Sequence, residues 1–309
     1  MASPRSLVSV IIPTRDRPDL LRKALESVHR QTYQPVEVLV VDENDPQSDG
    51  QRATMTVVKE YESRLDIEFL TNRNPTWVCR ARNEAAQRSR GEFLAFLDDD
   101  DWWRPEKVRR QIDVFDSSEL HPVLVYTGLH VVDGQGNTIK RRVPRARGSI
   151  RNDLLVENVI GTPSSVMIRR LLFDEIGGFD ESLPTRHDLD LYLRVSQLGT
   201  IDFVPEPVTV YLNQNPNAMS KHFTNKMEGR RMVFDKSRSL YDRDPRLSAA
   251  YEYGTGLLCM KHRQYAAAAH SFRRSLRMRF SVRSLVRYSL ARIGEYGNRK
   301  SAGRNGDTQ

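Results

Sequence analysis

The sequence predicts an α/β fold: a Rossmann-like, mostly parallel central sheet flanked by helices, followed by a C-terminal helical extension. Three observations carry this expectation. Short β-branched runs alternate with segments of helical period through about residue 115, the pattern of a parallel sheet covered on both faces. The apolar run 93–97 ends in four consecutive carboxylates, Asp98, Asp99, Asp100 and Asp101, at the kind of strand edge where open α/β sheets bind ligands. From about Lys226 onward the chain reads as helices.

Residues 8–12 form a β-branched run closed by Pro13, and Asp16, Arg17 and Pro18 supply a turn and a helix start. Leu20, Leu21, Ala24, Leu25 and Val28 then share one face of a helix over 19–31. Pro35 precedes a second strand at 36–41, apolar nearly throughout, as expected of a strand covered on both faces. A helix at 51–63, a short strand at 67–70, a helix at 78–89 and the strand at 93–97 follow. Arg104, Pro105, Glu106 and Lys107 read as the start of a helix reaching Phe115, with Pro105 at its first position.

Beyond that helix the pattern changes. Residues 123–132 and 138–143 flank a loop at 133–137 containing Asp133, Gly134 and Gly136, which reads as a hairpin of antiparallel strands. Another strand is expected at 161–168, and Gly177 and Gly178 permit a tight loop. Leu189, Tyr192, Leu193 and Val195 have helical spacing over 188–198, which puts Asp188 at or near a helix N-terminus. In 251–280, Tyr253, Leu257, Leu258, Tyr265, Ala268, Ala269, Phe272 and Leu276 suit a pair of helices similar to one tetratricopeptide unit. Gly254-Thr255-Gly256 is no dinucleotide fingerprint, because no strand precedes it.

With 309 residues, 28% of them charged, and a mean hydropathy of −0.58, the chain can bury a full core and reads as soluble. No apolar run approaches the ~20 residues of a bilayer span, and the first residues lack a signal-peptide pattern, so a cytoplasmic protein is expected. Cys79 and Cys259 stand far apart, which argues against a disulfide framework and a zinc site. The net charge of +8 concentrates beyond Lys261, where only Glu295 and Asp307 are acidic. No base-reading motif accompanies that charge, so nucleic acid is excluded as a partner. Arg273, Arg274 and Arg277 share one side of a helix, which suits peripheral contact with an anionic inner-membrane surface or a solvated face.

The acid run is the most informative stretch. Like charges crowded at a strand end repel unless a cation sits among them, so the cluster calls for a divalent metal. Asp99 and Asp101 have a second reading, as caps of the following helix. Asp190 is expected to pair with Arg194 one turn on.

Five segments together, VSVIIPTRDRPDLLRKALESVHRQTY, VEVLVVDENDPQSD, ARNEAAQRSRGEFLAFLDDDDWWRPEKVRRQ, GGFDESL and HDLDLYLRV, resemble a family 2 glycosyltransferase of the GT-A nucleotide-sugar fold. The resemblance covers roughly residues 7–211. It implies a GT-A catalytic domain at 1–225; beyond it the residues themselves read as a basic helical extension at 226–297, with 298–309 expected as a disordered tail. It also implies inverting transfer from a nucleoside-diphosphate sugar, with UDP-sugar favoured, to a hydroxyl of a glycan or lipid-linked glycan. Asp98 and Asp100 match the family's Asp-x-Asp, which implies Mg or Mn held by Asp100 and Asp98. Thr14, Asp42, Arg82, Asp98 and Asp99 fall at nucleotide-sugar-binding positions, each with a structural alternative such as a turn, a cap or an ion pair. Asp188 aligns with the general base, its alternative being a helix N-cap.

Trp102, Trp103 and Phe179 either border the sugar sites or belong to the core. Two departures from the family pattern stand out: Asp42-Glu43-Asn44-Asp45 replaces Asp-Asp-Gly-Ser, and His187 precedes Asp188 where the family has Glu. His222 is the nearest candidate for a metal-assisting histidine. The competing reading is a noncatalytic nucleotide-sugar sensor or scaffold, which intact Asp100 and Asp188 disfavour.

Overall fold

The computed structural model describes residues 5–71, 78–213 and 222–304, the last eight of these by backbone alone. Strands β1 (Val8–Thr14), β2 (Val36–Asp42), β3 (Asp66–Thr71) and β4 (Phe93–Phe96) run parallel in the spatial order β3-β2-β1-β4. Every residue of β1, β2 and β4 is buried, which explains runs without polar alternation. Helices α1 (Pro18–His29), α2 (Asp49–Lys59) and α3 (Val78–Arg88) make the crossovers. Pro18 opens α1, where its missing N–H costs nothing, and Leu21, Ala24, Leu25 and Val28 form its buried face. Ser48 caps α2 by accepting from the Gln51 N–H at 3.1 Å.

The side chains of β1 divide by period two. Val8, Val10 and Ile12 join Leu21, Leu25 and Val28 of α1, Val57 and Val58 of α2, and Val38 and Val40 of β2 in one continuous core. Each such residue, fully buried, contributes about 1.5–3 kcal/mol before ordering costs.

The connection after the acids differs from expectation. Trp102 and Trp103 form a two-residue strand, β5 (Trp102–Trp103), antiparallel to β9 (Ile201–Leu212). The Arg104 N–H continues that pairing to Val208 O at 2.8 Å. Helix α4 (Lys107–Ser117) therefore begins two residues beyond Pro105, and its N-cap Glu106 makes no side-chain cap bond. Asp99 and Asp101 do not cap it.

The other half of the sheet is mixed. Strands β6 (Leu124–Val132) and β7 (Thr138–Arg142) form the expected hairpin, and β8 (Val166–Arg169) lies antiparallel to both β4 and β6. Strand β9 runs parallel beside β6, giving the path β3-β2-β1-β4-β8-β6-β9-β5. The β6–β9 register shifts between Thr127 and Leu129, opposite Pro205 and Pro207. Helices α5 (Arg151–Val156), α6 (Arg170–Glu175) and α7 (His187–Val195) complete this part.

The chain divides into two compact units. The first comprises 1–154, 158–183 and 187–217; the second comprises 155–157, 184–186 and 218–309. Within the second, α8 (Phe223–Lys236), α9 (Arg238–Arg243), α10 (Pro245–Lys261), α11 (Tyr265–Met278) and α12 (Val282–Arg304) follow in order. Of the residues expected as a disordered tail, 298–304 belong to α12 and 305–309 lie outside the described residues. Asp244 caps α10 by accepting from the Arg246 N–H at 2.9 Å, with Pro245 in the first turn. Cys259, Ala268, Ala269, Phe272 and Ala291 form this unit's small core. A methyl group added at Gly256 would stand 2.6 Å from the Phe272 ring, so that glycine serves helix packing. Cys79 and Cys259 are buried free thiols, and burial pushes the Cys79 thiol up to about 12.

Candidate active site

The parallel strands deliver their carboxyl ends to one edge. Register sets Thr14 of β1 opposite Asp42 of β2, and Ile11 opposite Phe96 of β4. A bond from Leu97 N to Ile11 O carries β4 one residue further, and the chain then turns, with Asp101 N donating to Asp98 O at 3.0 Å. All four acids lie in or beside this turn.

Asp98, Asp100 and Asp101 each offer an oxygen within 4.8 Å of the others. The side chains of Asp98 and Asp100 are 27% and 23% exposed, enough to be reached from solvent. Asp101 is buried; its Oδ1 accepts from Leu212 N at 3.1 Å, and its Oδ2 is buried with no hydrogen-bond partner among the described residues. An orphaned buried carboxylate oxygen beside two reachable ones suits a hard divalent ion. Burial pushes the Asp101 carboxyl well up, and the Asp98 and Asp100 charges push the same way. Asp100 is also raised, by burial and Asp98 against the opposing charge of Arg17. Sequence reasoning named Asp98 and Asp100 as ligands; the structure sets an Asp101 oxygen within 4.8 Å of theirs.

Asp99 points elsewhere. Its Oδ2 accepts from Thr14 Oγ1 at 2.8 Å and its Oδ1 from Arg17 Nη1 at 3.0 Å. Burial lifts its carboxyl to about 6, with Arg17 opposing. The same Arg17 nitrogen lies 3.1 Å from Asp100 Oδ2. Burial works against the Arg17 charge, but Asp99 and Asp100 outweigh it and raise its pKa. Arg17 was read only as part of a turn, because nothing local in the sequence links it to residues more than eighty positions away.

Asp42 is fully buried, with Asn44 Nδ2 donating to it at 2.5 Å and Gln51 Nε2 at 3.2 Å. These bonds tie Asp42 to the segment after β2 and to the first turn of α2. Its neighbour Glu43 is partly exposed, with one buried carboxylate oxygen lacking a partner among the described residues. Burial raises the Glu43 carboxyl to about 7, Arg82 and Arg15 opposing and Asp99 and Asp42 reinforcing.

Arg82, on α3, is buried and forms an ion pair with Asp98. Its Nη1 lies 3.4 Å from His187 Nε2, and its guanidinium lies over the Phe179 ring at 5.2 Å. His187 opens α7 immediately before Asp188. Burial and the Arg82 charge lower the His187 pKa, so the imidazole is neutral near pH 7. Asp188 is half-buried, and its Oδ2 accepts from Asn158 Nδ2 at 2.8 Å. Asn158 also brackets Gly161, whose N–H donates to its Oδ1 at 2.8 Å. Asn158 was not foreseen, since it precedes the expected strand at 161–168 without a recognisable motif.

Tyr211, near the end of β9, joins the two groups of acids. Its phenol is pushed up to about 12 by burial and then by Asp101, Asp98, Asp100 and Asp188. One ring thus has both the acid turn and the α7 carboxylate as charged neighbours.

The aromatic candidates separate. Trp103 is buried, its indole N–H donating to Ser164 O at 2.8 Å and its ring lying 3.6 Å from Lys107 Nζ. Phe179 is buried against Phe96, Phe173 and His187. Both are core residues. Trp102 keeps part of its surface, with Lys23 Nζ 3.2 Å above its ring. Gly177 and Gly178 adopt φ of 73° and 71°, as the tight loop requires, and Asn83 clamps Phe179 N and O at 2.8 and 2.9 Å. The Asp190–Arg194 pair forms at 2.8 Å. His222 stands at the N-cap of α8, in the second unit.

Solved structures similar to this chain have the same fold. S. aureus TarS 1-349 superposes with a TM-score of 0.61 at 18% identity, over 97% of this chain and 92% of that one. The Pyrobaculum calidifontis mannosyltransferase PcManGT, solved with GDP-Man and Mn2+, superposes with a TM-score of 0.62 at 16% identity, over 94% and 81%. TarS 1-349 has also been solved with UDP-GlcNAc. In sequence, a Rickettsia typhi glycosyltransferase is 29% identical over 202 residues, 64% of this chain and 61% of its own length. Bacillus subtilis TuaG, a glycosyltransferase assigned to teichuronic acid biosynthesis, is 28% identical over 200 residues, 64% of this chain and 75% of its own. This chain thus spans less than two thirds of the Rickettsia relative. The family model for glycosyl transferase family 2 matches residues 9–177, more than half of the chain, and takes in the acid turn and the parallel strands that lead to it. The chain belongs to glycosyl transferase family 2.

Proposed function

We propose that this chain transfers a sugar, with inversion, from a nucleoside-diphosphate sugar to a hydroxyl of a glycan or lipid-linked glycan. One observation carries the reading: buried Arg82 pairs with Asp98 and lies 3.4 Å from His187, the residue before Asp188, so the acid turn and the candidate base share one neighbourhood.

Asp98, Asp100 and Asp101 are the residues that would hold Mg or Mn, and the ion would offset charge developing on the departing diphosphate. Arg82 neutralises Asp98 from within the core and fixes its orientation. Thr14 and Arg17 fix Asp99, while Arg17, Glu43, Asp98 and Asp100 are partly exposed polar side chains at the strand edge for the nucleotide. Asp42 supports that edge through Asn44 and Gln51.

At the acceptor, the hydroxyl oxygen attacks the anomeric carbon while the bond to the phosphate oxygen breaks. The bonding pair leaves with the diphosphate, and the hydroxyl proton passes to Asp188. Direct displacement of this kind inverts the centre. Asn158 occupies Oδ2 of Asp188, which leaves Oδ1 for the proton. Nucleotide sugars bound to TarS and PcManGT support the donor class, and the assignment of TuaG supports a glycan acceptor. The preference for UDP over GDP rests on the family resemblance.

The test is release of nucleoside diphosphate from a panel of UDP- and GDP-sugars with Mn2+ and glycan acceptors. Turnover with one donor is expected, together with its loss in Asp100→Asn and Asp188→Asn. Full turnover in both variants would remove the assignment.

A further inference from the structure

Helix α12 has two unlike faces. At 3.6 residues per turn, Ser284, Tyr288 and Ala291 fall on one side, and Ser284 and Ala291 are buried. Val282, Leu285, Val286, Leu290 and Ile293 fall on the opposite side, all exposed, with Val282 at 66% and Ile293 at 68%. Phe280, in the link from α11, adds an aromatic ring that is 71% exposed. A contiguous apolar stripe of this size on a surface helix marks a contact surface rather than scattered surface apolars.

The charge around the stripe identifies what it contacts. On the same helical projection, Arg283 and Arg287 border one side and Arg292 the other. Arg273, Arg277 and Arg279, at and just beyond the end of α11, are exposed as well. From Arg273 to Tyr296 the sequence has seven arginines and a single acid, Glu295, which pairs with Arg292 at 2.9 Å. Two copies meeting through this face would bring their arginines together, so the charge opposes self-association. An apolar stripe edged by arginines is instead the composition of a helix that lies in a membrane interface, with its apolar side chains among the acyl chains and its cations among the head groups.

We propose that the outer face of α12 docks on an anionic lipid surface, with Val282, Val286, Leu290 and Ile293 entering the bilayer interface. The helix lies on the membrane; no described helix is long and apolar enough to cross one. The arginines of α11 singled out in the sequence, Arg273 and Arg277, supply long-range attraction, whereas α12 supplies the insertion. The proposal is independent of the donor chemistry, and it would bring the chain to the surface where a lipid-linked acceptor resides.

Sedimentation of the full chain with vesicles of phosphatidylcholine, alone or mixed with phosphatidylglycerol, tests it. The wild type should sediment with the anionic vesicles only, and added salt should weaken the association. Leu290→Asp with Ile293→Asp should reduce the bound fraction by about tenfold or more, with thermal unfolding unchanged because both sites are exposed. Arg283→Gln with Arg287→Gln should weaken binding and flatten its salt dependence. Three results would overturn the proposal. The wild type could stay in the supernatant. The apolar double variant could sediment like the wild type, as simple attraction to any polyanion predicts. Finally, light scattering could find a wild-type oligomer that the apolar variant dissolves while neither protein binds vesicles.

Discussion

Arg17 Nη1 lies 3.1 Å from Asp100 Oδ2, within the same turn of acids that offers oxygens for a metal. The same nitrogen reaches Asp99 at 3.0 Å. A side-chain cation therefore already occupies part of the field that a divalent ion would use.

Removing that cation has two opposite consequences. Arg17→Ala should tighten Mn2+ binding to nucleotide-free protein by about threefold to fivefold, the scale of one partly exposed ion pair. It should also weaken binding of UDP in the presence of the metal, because a charge near the diphosphate is lost. Calorimetric titration of both ligands separates the two effects, and unchanged affinities in both titrations would show that Arg17 is only a surface partner.

Asp188→Asn should lower kcat by about 10²- to 10⁴-fold, the usual contribution of a positioned base, while leaving nucleotide affinity near wild type. Asn158→Ala frees the Asp188 carboxylate to rotate and should cost about tenfold in kcat, again with little change in donor KM. A rise in donor KM with unaltered kcat would place both residues in binding rather than proton transfer.

The pH dependence of stability has a definite sign. The Glu43 carboxyl is raised to about 7, so between its ordinary range near 4.5 and 7 the folded chain holds a proton that the unfolded chain has released. Metal-free protein should therefore lose stability as pH rises through that interval and level off above it. Asp99, raised to about 6, acts in the same direction. Denaturant titrations at pH 5 and pH 7.5 should show a smaller difference for Glu43→Gln than for wild type; an equal difference would assign the effect to the acid turn alone.

Gly256→Ala sets two effects against each other. Alanine gains about 1 kcal/mol of helix propensity over glycine. Its methyl would stand 2.6 Å from the ring of Phe272, which is fully buried. Overpacking of this kind costs about 1–3 kcal/mol, so a net loss and a lower Tm are expected by thermal denaturation. A higher Tm would mean that the second unit's helices can separate without cost.

The parallel half of the sheet was legible because β1, β2 and β4 are buried along their whole length and so appear as unbroken apolar runs. The identity of the acid turn was legible for the same reason: carboxylates directly after a buried strand are rare without a purpose. Strand β9 was not, since Pro205 and Pro207 interrupt the alternation that marks a strand, and only its pairing with β6 holds it extended. The start of α4 was misplaced because Pro105 signals a helix locally, whereas pairing of Trp102 and Trp103 with β9 is a long-range contact. Arg17 and Asn158 escaped, and Asp101 was left with two readings, for a related reason. Arginine in a turn, an extra aspartate and an isolated asparagine are ordinary residues until distant chain brings Asp99, Leu212 and Asp188 to them.

The buried guanidinium of Arg82 touches Asp98 on one side and His187 on the other. Replacing it would strand one carboxylate and one imidazole at once, in parts of the chain more than eighty residues apart. Any change at position 82 therefore disturbs the acid turn and the start of α7 together.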